Sequence, residues 1–391
     1  MIKKIAVTGT KGKSTTLRLL ESGFRSLDYD IYGTYGVDGY YYNGELVRDG
    51  SSCINYLNFD KAKFQVDMHL IEATSFTLDT GIFDDCEIDC AIFTSFDETE
   101  HTEIHQKEGS YVQAKRKIFS LLKPGAKAIV CRDIPNYPQI IKGYEDCVTS
   151  YGFHPEADYI ISVNMINERK MVFSLSHGNN ALFFKTKLLG KFNCSNIAAA
   201  YIAAVEMNVE DNITFFRALE SFSGFAGRME RFHIPKTNTK IIIDYAHTHK
   251  SLEELLALCR VIYPSEKILT IFGCGGDKST LKRPLMGKVA EKYSDFVVLA
   301  NDNPRSEAPA DIIKQISAGF TGENHTVILD RDEAIKTCLS KSQNSILVIA
   351  GKGAEREIIF SESTVYHDDR ESVISWCVHN NLSLIKIGDG D

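Results

Sequence analysis

The sequence has no long apolar run and no surplus of basic residues. None of its apolar segments approaches the ~18 residues that a membrane-spanning helix needs. Its start, Met1–Ile5, leads into a short strand-like run rather than a signal peptide. The 44 basic and 52 acidic residues give a net charge of −8, which disfavours nucleic acid and anionic membranes as partners. These absences predict a soluble cytoplasmic protein.

Cysteine-rich motifs are also absent. The ten cysteines are scattered, and only Cys86 and Cys90 lie close together. In a chain of 391 residues this pattern is typical of reduced core thiols, and it disfavours a disulfide framework or a cysteine-rich zinc site. Hydrophobic residues make up 43% and charged residues 25%, which excludes a disordered or fibrous protein.

Short apolar runs alternate with amphipathic segments of helix length along most of the chain. This alternation is typical of an α/β protein with a mostly parallel sheet covered by helices. Residues 159–188 are richer in strand-forming segments and predict an antiparallel addition. Glycines near residue 225 interrupt the alternation, so we expect two domains, residues 1–225 and 226–391. Predicted elements include the strands Lys4–Val7, Met68–Glu72 and Cys90–Thr94 and the helices Lys13–Leu27, Tyr111–Leu122 and Asn196–Met207.

A glycine-rich segment follows the first predicted strand and opens the first predicted helix. Gly9 and Gly12 would let backbone N–H groups approach phosphate oxygens, and the helix N-terminus adds its positive end. In such a loop Lys13 reaches the β- and γ-phosphates and the Ser14 hydroxyl binds Mg²⁺. The spacing is tighter than the general G-x-x-x-x-G-K-[ST] pattern, so a glycine- and lysine-rich surface turn is the alternative. The predicted nucleotide contacts are Gly9, Thr10, Lys11, Gly12, Lys13, Ser14 and Thr15.

Acidic residues and histidines follow the next two predicted strands. Glu72 ends one strand, at the edge where a parallel sheet presents ligand-binding groups. Residues 97–105 contain four acids and two histidines. This cluster suits a hard cation beside a phosphate, and a solvated acidic loop explains it equally well. Lys115 lies on a predicted helix and by pattern alone is one of several surface lysines.

Six further motifs follow in the second half of the chain. They are Gly227–Arg231, Asp244–His247, Phe272–Asp277, Lys282–Gly287, Asp302–Arg305 and Gly351–Glu355. Together with the phosphate loop, this order closely resembles that of the Mur ligases, and within them the UDP-N-acetylmuramoyl-tripeptide synthetases (MurE). The resemblance covers nearly the whole chain. It implies a central P-loop ATPase domain with a mostly parallel sheet and a C-terminal Rossmann-like α/β domain.

The resemblance implies an ATP-dependent carboxylate–amine ligase. In this family a substrate carboxylate attacks the γ-phosphate, and the amine of an amino acid then attacks the acyl phosphate. Glu72 and His101 match the family's second Mg²⁺ site. Lys115 matches its carbamylated lysine, because CO₂ turns an ammonium, which cannot bind Mg²⁺, into an anion that can. The implied catalytic residues are Lys13, His101, Lys115 and Arg228, and the implied metal ligands are Ser14, Glu72, His101 and Lys115.

Further residues match the family's nucleotide contacts. Asn193 and Asn196 match its adenine-side asparagines, and Asp244 matches its ribose-side aspartate. Arg228 matches the arginine that approaches the γ-phosphate across the domain cleft; the alternative is a salt bridge at the domain hinge. Phosphoryl transfer needs this kind of positioning and charge neutralisation rather than a protein nucleophile. We expect an open and a closed state, with a hinge near residues 224–227.

The segment Asp302–Arg305 resembles the pocket of MurE enzymes that use meso-diaminopimelate. Arg305 would bind the distal carboxylate, a bidentate role suited to a guanidinium; a surface arginine after a proline turn is the alternative. Glu355 would face the distal ammonium. For His247, a structural role as a cap or brace of the helix after Asp244 is as well supported as a functional role. Cys274 is expected to be a small residue that fills space between glycines. The implied substrate contacts are Asp302, Asn303, Arg305 and Glu355.

Three departures separate the chain from the MurE pattern. The family's N-terminal domain, which holds the UDP end of the acceptor, is absent from this sequence. Thr74-Ser75-Phe76 replaces Ser-Ser-His, and residues 99–105 differ from the corresponding metal-region motif. In the last motifs, Ala354 replaces a histidine and His249 a proline. We therefore expect that ATP chemistry and a diaminopimelate-like donor are kept and that the acceptor carboxylate has changed.

Two alternatives to this hypothesis stay open. One is a nucleotide-binding subunit of Mur type that is active only in a complex with a protein partner. The other is a true UDP-N-acetylmuramoyl-tripeptide synthetase. Folylpolyglutamate synthases share the two-domain core without the UDP domain, so that domain is not required for the chemistry. Retention of residues for a second metal site disfavours a pure binding subunit.

Overall fold

The computed structural model describes residues 2–35, 39–48, 65–98 and 109–388. The chain divides into two compact units: unit 1 is Met1–Ile166 with Lys170–Phe222, and unit 2 is Asn167–Arg169 with Ser223–Asp391. Within the described ranges, no helix is both long and apolar enough to cross a membrane.

Unit 1 contains an eleven-stranded sheet and six α-helices among its described residues. The strands are β1 Lys3–Thr8, β2 Ile31–Thr34, β3 Tyr40–Tyr42, β4 Glu45–Arg48, β5 Met68–Glu72, β6 Ile88–Phe93, β7 Leu122–Cys131, β8 Val148–Gly152, β9 Tyr159–Ile166, β10 Met171–His177 and β11 Asn180–Thr186. The helices are α1 Lys13–Arg25, α2 Ser75–Asp79, α3 Ser110–Ser120, α4 Tyr137–Ile141, α5 Lys191–Glu206 and α6 Asn212–Ser221.

The middle of this sheet is parallel, and antiparallel hairpins extend it at both ends. The strand order is β11-β10-β9-β8-β7-β6-β1-β5-β2-β3-β4. The strands from β9 to β2 in this order pair in parallel, whereas β9–β10–β11 and β2–β3–β4 are antiparallel. Central strands such as β5 and β6 bury nearly all of their side chains, which is why their sequences are mostly apolar. The predicted mostly parallel sheet with an antiparallel addition is confirmed.

Unit 2 contains a seven-stranded sheet and a separate two-stranded sheet. The strands are β12 Glu230–Ile234, β13 Thr239–Asp244, β14 Lys267–Phe272, β15 Phe296–Leu299, β16 His325–Val327, β17 Ser345–Ala350, β18 Glu357–Ile359, β19 Thr364–Tyr366 and β20 Ile385–Lys386. The helices are α7 His249–Ile262, α8 Lys282–Tyr293, α9 Pro309–Ser317, α10 Arg331–Lys341 and α11 Asp369–His379.

The large sheet of unit 2 has the order β16-β15-β14-β17-β13-β12-β20. Its first five strands are parallel, and β12 pairs antiparallel with both neighbours. Apolar side chains of β13, β14 and β17 pack with those of α10 and α11 in one core cluster. The predicted second α/β domain of Rossmann-like type is confirmed.

Loops that follow parallel strands meet at one edge of a sheet, because the strands point the same way. In unit 1 such loops begin after Thr8 and Phe93. In unit 2 they begin after Asp244, Leu299 and Ala350. These carboxyl edges carry the candidate site residues of each unit.

Candidate functional site

The loop between β1 and α1 has the geometry of a phosphate-binding loop. Gly12 precedes α1 with φ +85°, and a Cβ there would lie 2.5 Å from Asn196 Oδ1, so only glycine fits this turn. Lys13 Nζ donates to the carbonyl oxygens of Gly9 (3.1 Å) and Thr10 (3.4 Å), so it folds back over the loop. The N-cap residue of α1 is Gly12, which makes no side-chain capping bond, and the positive end of the helix there suits an anion.

The loop is held by the residues that follow β6. Thr94 Oγ1 donates to the carbonyl oxygen of Lys11 over 2.5 Å. The Lys11 N–H donates to Ser95 Oγ (2.8 Å), and the Thr10 N–H donates to the Ser95 carbonyl (2.9 Å). Sequence analysis missed Thr94 and Ser95. Their position directly after a buried parallel strand is the signal that would have found them.

Glu72 lies beside the phosphate loop because β5 pairs with β1 in a register that places it opposite Val7. Ser14 Oγ donates to Glu72 Oε2 over 3.1 Å, and Lys13 Nζ lies 3.8 Å from Glu72 Oε1. Hydroxyl and carboxylate oxygens are the ligands that Mg²⁺ prefers, and a lysine beside a glycine-rich helix N-terminus suits phosphate. The residues present therefore fit a nucleotide with Mg²⁺.

Lys115 lies on α3 and reaches the same loop. Only 2% of the residue is exposed, and Nζ donates to the Gly9 carbonyl over 2.8 Å. Burial, together with the nearby charge of Lys13, holds the pKa of the Lys115 amine well below its ordinary value. A lysine in this environment is poised to lose its proton and to act as a nucleophile.

The two asparagines of α5 lie against the start of α1. Asn196 Oδ1 accepts from Thr16 Oγ1 at 3.4 Å, and Asn196 Nδ2 donates to Asn193 Oδ1 at 3.3 Å. Asn193 Nδ2 in turn donates to the Leu189 carbonyl (2.8 Å). The structure therefore brings this pair next to Gly12. Its role toward adenine stays a prediction.

The acidic segment after β6 falls largely outside the described residues. His101, predicted as a metal ligand, belongs to this part of the chain. Among the residues that the structure describes, no group of three or more histidine, cysteine, aspartate or glutamate side chains is arranged to hold a metal ion. The candidate metal ligands Ser14, Glu72 and Lys115 meet around Gly9 and Lys13.

In unit 2, Asp244 ends β13 and organises the turn that carries Arg228. Its carboxylate accepts from the N–H groups of Met229 (2.7 Å) and Ala246 (2.8 Å). Burial raises the pKa of Asp244, and the Arg228 charge opposes this shift. The Arg228 guanidinium carbon lies 4.3 Å from the centre of the Tyr245 ring, within cation–π distance.

A polar cluster forms where the loops after β13, β15 and β17 meet. Glu355 accepts from Tyr245 OH (3.2 Å) and from Asn303 Nδ2 (2.9 Å). Lys352, which has no exposed surface, donates to Asn303 Oδ1 (3.1 Å) and to Glu355 Oε2 (3.2 Å). Asp302 is buried beside this cluster. Sequence analysis predicted Asp302, Asn303 and Glu355 as substrate contacts. Tyr245 and Lys352 lie in the motifs Asp244–His247 and Gly351–Glu355 but were not predicted as site residues.

Arg305 follows Asn303 in the loop after β15 and adopts a left-handed backbone conformation, φ +53°. Its N–H donates to the Ile359 carbonyl (2.9 Å). Its Nη1 donates to the carbonyl oxygens of Gly276 (2.9 Å) and Asn303 (3.3 Å). Within the described part of the chain, the guanidinium makes no hydrogen bond to a carboxylate, so its charge is available to an anionic ligand.

His247 and Cys274 have structural roles. Thr248, not His247, is the N-cap of α7, and it forms a capping box with Ser251. His247 braces the preceding turn through Nδ1 and the Tyr245 carbonyl (2.9 Å), and burial lowers its pKa to about 3. Cys274 is buried 3.6 Å from the Met286 sulfur, and burial raises its pKa to about 12, as befits a small filler.

Comparison with known families gives two matches. The Mur ligase middle domain matches residues 7–204, and the glutamate ligase domain of Mur ligases matches residues 227–353. A UDP-N-acetylmuramoyl-L-alanyl-D-glutamate--2,6-diaminopimelate ligase of Chlamydia felis is 32% identical over 378 residues, which cover 94% of this chain and 76% of the relative. The Syntrophomonas wolfei protein of the same name is 32% identical over 391 residues and covers 95% and 77%, respectively.

Solved structures agree with these relatives. A UDP-N-acetylmuramoyl-L-alanyl-D-glutamate--2,6-diaminopimelate ligase superposes with a TM-score of 0.66 at 28% identity, over 97% of this chain and 79% of that one. A folylpolyglutamate synthase of Thermotoga maritima shares the fold, with a TM-score of 0.66 at 15% identity over 90% of this chain and 86% of that one. Both family matches, the identity to the curated relatives and the shared fold lead to one conclusion: the chain belongs to the Mur ligase family.

Proposed function

We propose that the protein is an ATP-dependent, ADP-forming ligase of MurE type that joins the amine of a diaminopimelate-like amino acid to an acceptor carboxylate. Mur ligases are ATP-dependent and typically use Mg²⁺. We assign ATP binding to residues 1–225 and amino-acid binding to residues 226–391. The observation that carries the proposal is the convergence of Lys13, Ser14, Glu72 and Lys115 on one phosphate loop.

The reaction consists of two transfers. An acceptor carboxylate oxygen attacks the γ-phosphorus of ATP, the bond to the bridging oxygen breaks, and ADP leaves. The amine then attacks the carbonyl carbon of the acyl phosphate, phosphate leaves, the amine loses a proton, and an amide forms. The chain's task is to position these groups and to neutralise their charge.

In unit 1, Lys13 would pair with the phosphates and Ser14 would hold Mg²⁺. When bound, this ion neutralises charge that develops on the phosphoryl oxygens. We assign Glu72 and a carbamylated Lys115 to a second Mg²⁺. The low pKa of the Lys115 amine supports carbamylation, since only an unprotonated amine adds CO₂. Roles of Arg228 and Asp244 toward ATP, and of His101 toward the metal, stay predictions from the family resemblance.

In unit 2, Arg305 would bind the distal carboxylate of the amino acid and Glu355 its distal ammonium. An arginine with an unneutralised charge and a carboxylate held by neighbouring donors suit a substrate that carries both charges. The curated relatives are named for 2,6-diaminopimelate, which makes it the first donor to test. Lys352 lies against Glu355 and moderates its negative charge.

The position of Phe76 supports an acceptor that differs from that of the relatives. The relatives are named for UDP-N-acetylmuramoyl-L-alanyl-D-glutamate. Phe76 is 56% exposed on α2, four residues beyond the end of β5, where MurE enzymes carry a histidine. We infer that the acceptor presents an apolar group to this position.

The test measures ADP release with ATP, Mg²⁺ and meso-diaminopimelate. One arm adds UDP-N-acetylmuramoyl-L-alanyl-D-glutamate, and the other adds a metabolite extract freed of UDP-sugars. Turnover in the first arm establishes a tripeptide synthetase and overturns the inference of a changed acceptor. Turnover only in the second arm supports that inference, and mass spectrometry of the product then identifies the acceptor. Absence of turnover in both arms overturns the proposed ligase.

A further inference from the structure

Arg283 lies on α8 and has no exposed side-chain surface, yet none of the roles above uses it. Its guanidinium pairs with both carboxylate oxygens of Glu307: Nη1 lies 2.7 Å from Oε2 and Nη2 lies 2.8 Å from Oε1. Nη1 also donates to Gln315 Oε1 (2.8 Å), and Nη2 donates to the Gly275 carbonyl (3.1 Å). Burial of an arginine costs desolvation free energy, and its planar guanidinium requires the four acceptor atoms at defined positions.

These bonds connect two loops at the carboxyl edge of unit 2. We call residues 273–277, after β14, the glycine loop and residues 303–307, after β15, the arginine loop. The Asp277 N–H donates to Glu307 Oε1 (2.6 Å), and the Ser306 N–H donates to Asp277 Oδ2 (3.3 Å). Glu307 therefore receives both Arg283 and the backbone of the glycine loop.

The two loops also touch through their backbones. The Gly276 N–H donates to the Asn303 carbonyl (2.9 Å). A Cβ at Gly276 would lie 1.8 Å from the Pro304 carbonyl oxygen, so this approach requires glycine. The loops are joined closely enough that a shift of one moves the other.

Arg305 takes its position from both loops. Its Nη1 donates to the carbonyl of Gly276 in the glycine loop and to that of Asn303 in its own loop. Glu307 lies in the same loop as Arg305, but its two oxygens are taken by Arg283 and the Asp277 N–H. Arg283 thereby keeps a nearby carboxylate from neutralising Arg305.

We propose that Arg283, through its bidentate pair with Glu307, is a positioning residue that fixes the Arg305 guanidinium. Arg283 thereby contributes to the selection of an amino acid with a distal carboxylate. The proposal rests on the proposed function, because Arg305 is taken as the substrate's carboxylate contact. Arg283 acts through Arg305 and does not touch the substrate.

The test uses R283K, E307Q and R305A, alone and as the double variants R283K/R305A and E307Q/R305A. Lysine keeps the charge of Arg283 without the planar fork, and glutamine keeps the size of Glu307 without its charge. The matched control is R260K. Arg260 also joins a carboxylate, Asp295 (2.7 Å), to two carbonyls, those of Tyr293 (2.8 Å) and Glu266 (3.1 Å), and no site role involves it. KM values for meso-diaminopimelate and ATP, and the melting temperature, are measured for each variant.

We expect R283K and E307Q each to raise the KM for meso-diaminopimelate about tenfold, because sub-ångström displacement of a binding group weakens recognition. The KM for ATP should change less than about twofold. In the R305A background neither change should raise the amino-acid KM further, since the residue through which they act is gone. R260K should leave both KM values unchanged.

These outcomes distinguish failure of the proposed function from failure of the positioning role. If R305A leaves the amino-acid KM unchanged, the donor pocket of the proposed function is wrong. If R305A raises this KM but R283K and E307Q do not, the positioning role is wrong and the pocket stands. If the effects of R283K and R305A multiply in the double variant, Arg283 acts on the fold and not through Arg305, which also overturns the proposal.

Discussion

The side-chain nitrogen of Lys115 lies 2.8 Å from the carbonyl oxygen of Gly9, in a position where only 2% of the residue is exposed. A protonated lysine in that position would face the charge of Lys13. The proposed carbamylation would remove this repulsion and would create a carboxylate-like metal ligand beside the phosphate loop. The contact thus connects a buried amine directly to the phosphate loop.

Replacement of this lysine should abolish turnover without unfolding the protein. We expect K115A to lower kcat by about two orders of magnitude or more, because the anionic ligand for Mg²⁺ is lost. Acetate or propionate should restore part of the activity by supplying a carboxylate in the vacated space. The control is K117A, two residues along α3, where the side chain is 48% exposed and pairs with Asp79. Full activity of K115A would contradict the metal role.

Loss of the Glu72 charge should change the dependence on Mg²⁺. In E72Q the amide oxygen can still accept the Ser14 hydroxyl but is a weaker ligand for a hard cation. We expect the Mg²⁺ concentration for half-maximal ADP release to rise about tenfold. The control is D89N. Asp89 lies on β6, and its Oδ1 is 2.7 Å from Lys123 Nζ on β7. An unchanged Mg²⁺ titration of E72Q would exclude Glu72 as a ligand.

The donor pocket can be tested with two amino acids that differ by one amine. In E355Q the amide oxygen can keep the bonds from Asn303 and Lys352, which both donate to Oε2, whereas an amide nitrogen replaces Oε1 and the charge is lost. We expect the KM for meso-diaminopimelate to rise about tenfold, because a charge-assisted contact to the distal ammonium is lost. The KM for 2-aminopimelate, which lacks that ammonium, should stay unchanged. Equal increases for both amino acids would place Glu355 away from the distal amine.

Acid stability should depend on His69. This histidine is 1% exposed on β5, its Nε2 lies 2.8 Å from Thr34 Oγ1, and burial lowers its pKa to about 3. Below its ordinary pKa the unfolded chain binds a proton that the folded chain does not bind. The free energy of unfolding therefore falls as the pH drops from about 6.5 toward 3, by up to about 1.4 kcal/mol per pH unit for this one group.

The H69Q variant removes that titration and retains a hydrogen-bonding partner for Thr34. We expect urea unfolding curves between about pH 7 and pH 4 to show a weaker pH dependence for H69Q than for the native protein. Circular dichroism measures the midpoints. His247, with a pKa of about 3 in unit 2, should contribute a similar dependence that H69Q leaves in place. Identical pH dependence in both proteins would contradict the buried neutral state of His69.

Most predicted strands and helices match the structure to within one or two residues at each end. β5 has the predicted bounds Met68–Glu72, because a strand buried on both faces is rich in apolar residues. α5 begins at Lys191 and not at Asn196, since its first turn is polar and its buried asparagines do not mark an apolar face. β12 and β20 were missed. The pairing of β20 with β12 joins segments far apart in sequence, whereas β12 forms a local antiparallel hairpin with β13.

Some residues of the candidate site can be predicted from the local sequence, and others cannot. Lys13 and Ser14 follow from a local pattern, because a phosphate loop lies within one turn of chain. Lys115 stands beside Arg116 and Lys117, and only the fold shows that it alone of the three is buried at Gly9. Lys352 and Asn303, which share a hydrogen bond, are 49 positions apart in the sequence, so the local sequence does not predict this contact.

The left-handed backbone of Arg305, together with the Gly276 contact, restricts how this protein could acquire a new amino-acid specificity. At φ +53° a β-branched residue is strained, whereas unbranched lysine, glutamine or asparagine is tolerated. Exchange of the position 305 side chain for one of these leaves the bond from its N–H to Ile359 intact. Laboratory evolution toward neutral donors would therefore start with glutamine or asparagine at this single codon, with the glycine at 276 retained.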